Sequence, residues 1–313
     1  MLNKKGFLQI SFGWLFAIII GAIILFFAIY ASVKLIGTEE QTAAAETGKE
    51  VAVLLNPLET GFGEEKTTPL SIPIESRINN RCDLFGDFGE QGISISQKSR
   101  GEWTETGVEQ VFYNKYIFSN ESVEGKNFYL FSKPLEFPFK VSDLIFLTSS
   151  QESYCFTGFT EETEEIQDEL KNLGQANLFT ENCPSNSINV CFDGEEGSCD
   201  INIDTSQRSV EKQDSKVYYE TDTLMYGAIF ADADLYECQV RRLMKRLESL
   251  ALIYNDKEAI ISAQGCIAEV NLLSLAESAN ALGDSYDLFI VKAEADDTED
   301  SNKRAFRNHC ELW

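Results

Sequence analysis

The chain has 313 residues, of which 43% are hydrophobic and 12% aromatic, and it carries 51 acidic residues against 26 basic ones. This content of apolar and aromatic residues excludes a largely disordered chain and is sufficient to bury a core. The net charge of −25 makes nucleic acid an unsuitable partner, because binding to phosphates depends on exposed lysine and arginine. We therefore expect a folded protein with an acidic surface.

The first predicted element is a single membrane-spanning helix within residues 1–36. No charged residue lies between Phe7 and Val33, and a helix of this length, roughly 40 Å, exceeds the ~30 Å hydrocarbon core of a bilayer. The run is too long for a cleaved secretory signal, whose apolar part has about 7–15 residues. Two lysines precede the span and Glu39 and Glu40 follow it. The positive-inside rule thus predicts a cytoplasmic N-terminus and an extracytoplasmic C-terminal domain in the cell membrane.

Two basic residues, a glycine and a phenylalanine stand directly before the apolar run, and two polar positions follow near its start. These residues are Lys4, Lys5, Gly6, Phe7, Gln9 and Ser11. The motif resembles a class III signal peptide, the signal of type IV prepilin-like proteins, in its archaeal version. The resemblance covers only about the first twelve residues. It implies that a prepilin peptidase cleaves between Gly6 and Phe7 and that the helix then packs against other pilin-like subunits.

Two positions depart from the pattern of the main pilin subunits. Ser11 stands where major pilins usually carry glutamate, and Gly13 stands where the archaeal pattern prefers glutamate. The chain is also long for a major pilin. The resemblance therefore implies a minor or accessory subunit of a cell-surface filament or of a secretion or adhesion assembly. The alternative is an ordinary signal-anchor helix preceded by two lysines.

The region after the span is predicted to begin with a helical stalk over residues 37–57, ended by Pro57. Residues 58–150 form a β-rich extracytoplasmic region, since short aromatic and β-branched runs alternate there with turn residues. The strand candidates are 71–74, 92–96, 111–118, 128–131 and 144–147. This pattern is typical of a sandwich or an open antiparallel sheet.

Residues 151–220 are predicted to be a small α/β region with a cysteine-rich hairpin. A strand at 154–156, an acidic helix at 161–173 and a strand at 177–179 indicate a β-α-β unit. Two further strands, at 188–192 and 199–203, flank the five residues 193–197, and this arrangement predicts a β-hairpin.

Residues 221–313 are predicted to form a C-terminal helical hairpin or three-helix region. Six apolar residues recur at alternating steps of four and three, which places them on one side of a helix. They are Tyr236, Val240, Leu243, Leu247, Leu250 and Tyr254. We expect a turn at Asn255-Asp256, a second helix from Ile260 to Gly283 and a last helix over 293–308. The fold class is accordingly α+β.

All eight cysteines follow the predicted span, and an even number in an extracytoplasmic chain indicates up to four disulfides. They are Cys82, Cys155, Cys183, Cys191, Cys199, Cys238, Cys266 and Cys310. We predict the pair Cys191–Cys199 specifically, because the hairpin turn sets these residues opposite each other. The alternative is metal binding, but the sequence lacks the closely spaced cysteine pairs of structural zinc sites.

No catalytic residue, metal site or cofactor is predicted. His309 is the only histidine, and the chain contains no glycine-rich phosphate loop, GxSxG or HExxH motif. Paired carboxylates are expected by chance among so many acidic residues. An anchored hydrolase that depends on carboxylates is therefore a minor alternative, and we expect a structural protein and not an enzyme.

Three surface features complete the predictions. A basic cluster in the acidic domain is expected to pair with acidic residues of this chain or to dock a partner; it comprises Arg241, Arg242, Lys245 and Arg246. Asn120 begins an N-glycosylation sequon. An exposed aromatic patch would favour a second function, that of a membrane-tethered binding module for adhesion or ligand capture; its residues would be Trp103, Tyr113, Tyr116 and Tyr129.

Overall fold

The computed structural model describes residues 13–32, 34, 66–194, 199–266, 269–306 and 310–313. Over these residues the protein is a mixed α+β chain with an N-terminal apolar helix, two β-sheets and a group of C-terminal helices. The first helix, α1, spans Gly13–Ser32. The predicted stalk at 37–57 lies outside the described residues.

The first sheet has seven strands between residues 66 and 149. They are β1 (Lys66–Asp83), β2 (Glu90–Ser99), β3 (Glu102–Trp103), β4 (Gln110–Phe112), β5 (Tyr116–Phe118), β6 (Ser122–Glu136) and β7 (Lys140–Ser149). Their order is β3-β2-β1-β6-β7-β5, with β4 also paired to β2. All pairings are antiparallel except that of β5 with β7.

This sheet curls over itself, which the sequence did not predict. The single strand expected at 111–118 is interrupted at 113–115, and its two halves, β4 and β5, pair with opposite sides of the sheet. One face buries a core whose described members all belong to this same sheet. They are Leu70, Ile72, Ile78, Ile93, Ile95, Ile117, Val123, Phe128, Leu130, Ile145 and Leu147. Ile93 of β2 shares this core with Ile117 of β5 and Ile145 of β7, from the opposite side of the sheet, so the strands wrap around it, as in a partly closed barrel.

The second sheet follows directly along the chain. It contains β8 (Tyr154–Thr157), β9 (Leu178–Phe179), β10 (Ile188–Phe192), β11 (Ile201–Asp204), β12 (Ser209–Lys212) and β13 (Ser215–Tyr218), in the order β13-β12-β11-β10-β8-β9. Helix α2 (Glu164–Asn172) connects β8 to β9, which pair in parallel. The predicted β-α-β unit is therefore present.

The predicted hairpin between residues 188 and 203 is wrong, because β10 and β11 pair in parallel, with Val190 opposite Ile201. Side chains tie the ends of the two strands together: Asp200 Oδ2 accepts from the Asn189 N–H (2.8 Å), and Asp193 Oδ1 accepts from the Thr205 N–H (2.8 Å). The antiparallel neighbours in this sheet are instead β11 with β12 and β12 with β13. Residues 195–198 of the expected turn lie outside the described residues.

Four C-terminal helices complete the described chain: α3 (Asp222–Phe230), α4 (Ala233–Ser262), α5 (Leu272–Ala281) and α6 (Leu288–Phe306). One core joins them to both sheets. The Phe230 ring shows this directly, since its centroid lies 5.1 Å from that of Tyr154 in β8 and 6.3 Å from that of Phe146 in β7. The three regions recognised in the sequence thus pack around one shared core.

The predicted apolar stripe lies on α4, where Tyr236, Val240, Leu243 and Leu247 are buried. The turn expected at Asn255-Asp256 is wrong, since α4 continues to Ser262 and leaves Ile260 62% exposed. Asparagine and aspartate weaken a helix by only a fraction of a kilocalorie each, about 0.7 kcal/mol at most, so this pair does not by itself end α4. The helix ends at Ser262, and three residues later Gly265 has a φ of +91°, which suits a residue without a Cβ.

Candidate functional site

Helix α1 is the one described helix that is long and apolar enough to cross a membrane. It is 20 residues long, its mean hydropathy reaches 2.6, and none of it is buried against other parts of the protein. Its length and composition fit a transmembrane anchor. The signal residues Lys4, Lys5, Gly6, Phe7, Gln9 and Ser11 lie outside the described residues.

The eight cysteines form four disulfides. The pairs are Cys82–Cys238, Cys155–Cys183, Cys191–Cys199 and Cys266–Cys310. The prediction of Cys191–Cys199 is confirmed, although its geometric reason is not: Cys191 lies in β10 and Cys199 in the segment that returns towards β11. Sequence proximity sufficed, because a short separation keeps two cysteines close whichever way the second strand runs.

Within the part of the chain that the structure describes, the basic cluster on α4 does not form the expected ion pairs, and it does not present Arg242 to a partner. Arg242 is 0% exposed, so it cannot contact another molecule. All its donors are used by oxygen atoms of this chain. Its acceptors are the carbonyls of Phe88 (3.1 Å), Lys115 (2.9 Å), Tyr113 (3.2 Å) and Phe112 (3.5 Å) and Oε1 of Gln239 (2.8 Å).

The neighbours of Arg242 also bind backbone. Lys245 Nζ donates to the carbonyls of Leu84 and Gly86, both at 3.2 Å, and Arg246 Nε donates to the carbonyl of Val141 at 2.7 Å. These basic side chains thus bind the partial negative charges of backbone carbonyls, whereas the sequence led us to expect carboxylates as their partners. Arg242, Lys245 and Arg246 therefore hold the loops and β7 of the curled sheet against α4.

Side-chain amides close the gap between β5 and the β1–β2 side of the curled sheet. Asn80 Nδ2 donates to the Ile117 carbonyl (3.1 Å), and the Ile117 N–H donates to Gln91 Oε1 (3.0 Å). From α4, Gln239 Nε2 donates to the Ile117 carbonyl (3.2 Å) and to Gln91. All three amide side chains are buried. We call Asn80, Gln91, Ile117, Gln239 and Arg242 the seam network. Because Gln239 and Arg242 belong to α4, the contact between β5 and the β1–β2 side of the first sheet depends on this helix.

A polar cleft lies where the two sheets meet the start of α4. Two cavities, of about 460 and 330 Å³, share the lining residues Ser215, Asp232 and Ala233. The smaller one, which we call the junction cleft, is also lined by Asn120, Tyr154 and Lys212. Because five separate chain segments contribute these side chains, no local motif in the sequence marked it.

Lys212, the last residue of β12, is the basic group of the junction cleft. Its ammonium donates to the carbonyl of Ala231 at 2.7 Å. Burial lowers the pKa of Lys212 to about 8, although Asp232 and Glu152 act in the opposite direction. The amine is therefore partly neutral near physiological pH.

Glu152 and Tyr154 form a hydrogen-bonded pair beside the cleft. The Tyr154 hydroxyl donates to Glu152 Oε2 at 3.2 Å. Burial raises the pKa of the Glu152 carboxyl above its usual value, and burial likewise raises the pKa of Tyr154 well above its usual value. Asn120 Nδ2 donates to Glu152 Oε1 at 3.4 Å. The amide nitrogen that a glycan would occupy thus faces the cleft, and glycosylation of Asn120 would require it to turn outward.

Replacing Lys212 with methionine tests this burial. The folded-state pKa of Lys212, about 8, lies below its ordinary value of 10.5, so charging the buried amine costs stability below pH 8 and this cost disappears as the pH rises towards 10.5. The stability of the natural protein relative to Lys212→Met should thus increase between pH 8 and 10, by at most roughly 1.4 kcal/mol per pH unit. Urea unfolding at several pH values measures this.

The exposed Lys216 on β13 provides the matched control for the substitution itself, because Lys216 does not line the cleft. A Lys212→Met difference that stays constant from pH 7 to 10 would contradict the assignment of a buried, partly neutral amine.

The predicted aromatic patch does not form a single surface. Tyr116 is fully buried, with the Arg242 guanidinium 4.8 Å from its ring centroid. Trp103 is half-buried with the Arg77 guanidinium 4.3 Å from its ring, and only Tyr113 is largely exposed. These side chains offer no common platform.

The described residues contain no group of three or more histidine, cysteine or acidic side chains placed to hold a metal ion. His309 lies outside them. Comparison with known proteins adds no assignment: no family model, no curated protein and no solved structure matches the chain.

Proposed function

We propose that this protein is a membrane-anchored, extracytoplasmic structural subunit, and that it acts as a minor or accessory pilin-like component of a surface filament or of a secretion or adhesion assembly. Helix α1 is the observation that carries the proposal. The large apolar side chains of α1 are each 40–66% exposed; they include Trp14, Phe16, Leu25 and Phe26. Such a surface has to be covered by lipid or by other apolar helices.

Two features support an extracytoplasmic location of the head. All eight cysteines follow α1, and they form four disulfides, which persist in oxidising compartments and are rare in the cytosol. Lysines precede the span and glutamates follow it, in agreement with a cytoplasmic N-terminus. The lipid bilayer is then the first partner of the protein.

The pilin-like role rests on the N-terminal motif and on one side of α1. Gly13, Ala17 and Gly21 follow each other at intervals of four residues. A Cβ atom added to either glycine would meet no other atom within 4 Å. Small residues at this spacing allow apolar helices to approach closely, as packing against other pilin-like subunits requires.

The mass of the mature N-terminus tests the pilin-like role. In protein isolated from its own cells, we expect a chain that begins at Phe7, because a prepilin peptidase cuts after Gly6. Gly6→Val should abolish this cleavage, whereas Gly13→Val, a matched change beyond the cleavage site, should leave it intact. A natural chain that begins at Met1 or Leu2 would leave only the plain membrane anchor.

A membrane-tethered binding module is the second candidate, and the junction cleft favours it. Its volume of about 330 Å³ falls in the lower part of the range, about 300–1,000 Å³, that is typical of small-molecule sites. Tyr154→Phe and Lys212→Met should then weaken adhesion or ligand capture without changing the fraction of protein in the membrane.

A further inference from the structure

We propose that Lys212 is a reactive amine that condenses reversibly with a small carbonyl compound, such as an aldehyde, inside the junction cleft. The inference is independent of the pilin-like role and concerns only the chemistry of the head. It is carried by the position of one lysine in a cavity whose other polar groups can supply and remove protons.

The geometry places the amine at the wall of a confined cavity. Lys212 lies at the end of β12, and the cavity of about 330 Å³ extends between it, Tyr154 of β8 and Asp232 at the start of α4. The ammonium makes a hydrogen bond to the carbonyl of Ala231. This contact fixes the direction of the side chain, and an ammonium has two further N–H bonds that can turn towards the cavity.

The acid–base properties of the surroundings suit condensation with a carbonyl group. Asp200, Asp232 and Tyr154 line the same cavity as Lys212, and Glu152 lies beside it, hydrogen-bonded to Tyr154. The carboxylates Asp232 and Glu152 favour the charged amine, but burial outweighs them and lowers the pKa of Lys212 to about 8. A desolvated lysine of this kind is a nucleophile near neutral pH, and its characteristic substrates are carbonyl compounds.

The condensation balances without any oxidant or cofactor. The neutral amine nitrogen of Lys212 attacks the carbonyl carbon, a C–N bond forms as the C=O π bond breaks, and a proton passes from the nitrogen to the oxygen to give a carbinolamine. The oxygen then takes up a second proton and leaves as water while the nitrogen lone pair forms the C=N bond. The product is a protonated imine, which releases its nitrogen proton to become the neutral imine. Two carboxyl groups that line the cavity, those of Asp200 and Asp232, can relay these protons between the nitrogen, the oxygen and water.

Reductive trapping tests the proposal on the full chain in detergent. Butyraldehyde and sodium cyanoborohydride convert an imine into a stable alkyl group, and peptide mass mapping gives the rate at each lysine. At pH 8 an amine with a pKa of about 8 is half neutral, whereas an ordinary lysine is neutral in fewer than about 1% of molecules. Because a less basic amine is also a weaker nucleophile, we expect Lys212 to react roughly ten times faster than the exposed Lys216.

Two controls tie the rate to the folded cleft. In urea with the disulfides reduced, Lys212 and Lys216 should react equally fast. With an aldehyde carried on a long polyethylene glycol chain, which cannot enter a cavity of this size, Lys212 should lose its advantage while Lys216 still reacts. A butyraldehyde rate at Lys212 equal to or below that at Lys216, or an advantage that persists with the large aldehyde, would overturn the proposal.

Discussion

Replacing Arg242 with methionine should lower the free energy of unfolding of the head by about 3–5 kcal/mol. The guanidinium is fully buried and donates to four backbone carbonyls and to Gln239. Methionine fills a similar volume but leaves these oxygens without a donor, and each unsatisfied buried acceptor costs about 1–3 kcal/mol. Release of the desolvated charge offsets part of this loss, since burial already lowers the pKa of Arg242 to about 10.

The adjacent Arg241 provides the matched control. It is the same residue type on the same helix and is half-buried, but its Nε has no hydrogen-bond partner in the described part of the chain. Arg241→Met should therefore cost less than about 1 kcal/mol. Urea unfolding of the full chain in detergent measures both variants. Equal losses would show that Arg242 is not the link that holds the loops of the first sheet on α4.

The second large effect is expected from the disulfide between Cys82 and Cys238. It joins β1 to α4 beside the seam network and closes a loop across a sequence separation of 156 residues, whereas Cys191–Cys199 spans only 8. Restriction of the unfolded chain grows with loop length, so Cys82→Ser with Cys238→Ser should lose about 5 kcal/mol. Cys191→Ser with Cys199→Ser should lose about 2.5 kcal/mol.

The comparison between the two double variants is the informative quantity, because both remove one disulfide and introduce two serines. Chemical unfolding with the other three disulfides intact gives the difference directly. If the short-loop variant were destabilised as much as the long-loop variant, restriction of the unfolded chain would not be the main contribution of Cys82–Cys238 to stability.

Local patterns in the sequence predicted the elements whose contacts are close in sequence. The β-α-β unit was found because β8, α2 and β9 follow one another with short connections, and the α4 stripe was found because its apolar residues repeat with the helical period. The Cys191–Cys199 pair was found because the two cysteines are only eight residues apart. The parallel direction of β11 was missed, since a short connection between two strands normally indicates a hairpin.

The seam network and the junction cleft could not be predicted because their contacts are distant in sequence. Arg242 binds backbone carbonyls at residues 88, 112, 113 and 115, and every residue carries a carbonyl, so no side-chain pattern records the choice. One signal was present: Gln239, Arg242 and Arg246 each directly precede a residue of the buried stripe, which places them at its border. Asn120 and Asp232, which both line the cleft, are more than a hundred residues apart in the sequence, and the packing of the two sheets brings them together.

The most direct test of the account is the state of the cysteines in protein taken from its own cells with thiols blocked during lysis. The account predicts that the full chain stays in the membrane fraction after alkaline carbonate washing, and that none of its eight cysteines reacts with an alkylating reagent until the disulfides are reduced. Recovery of intact protein from the soluble cytosolic fraction, with its cysteines alkylated before reduction, would contradict it.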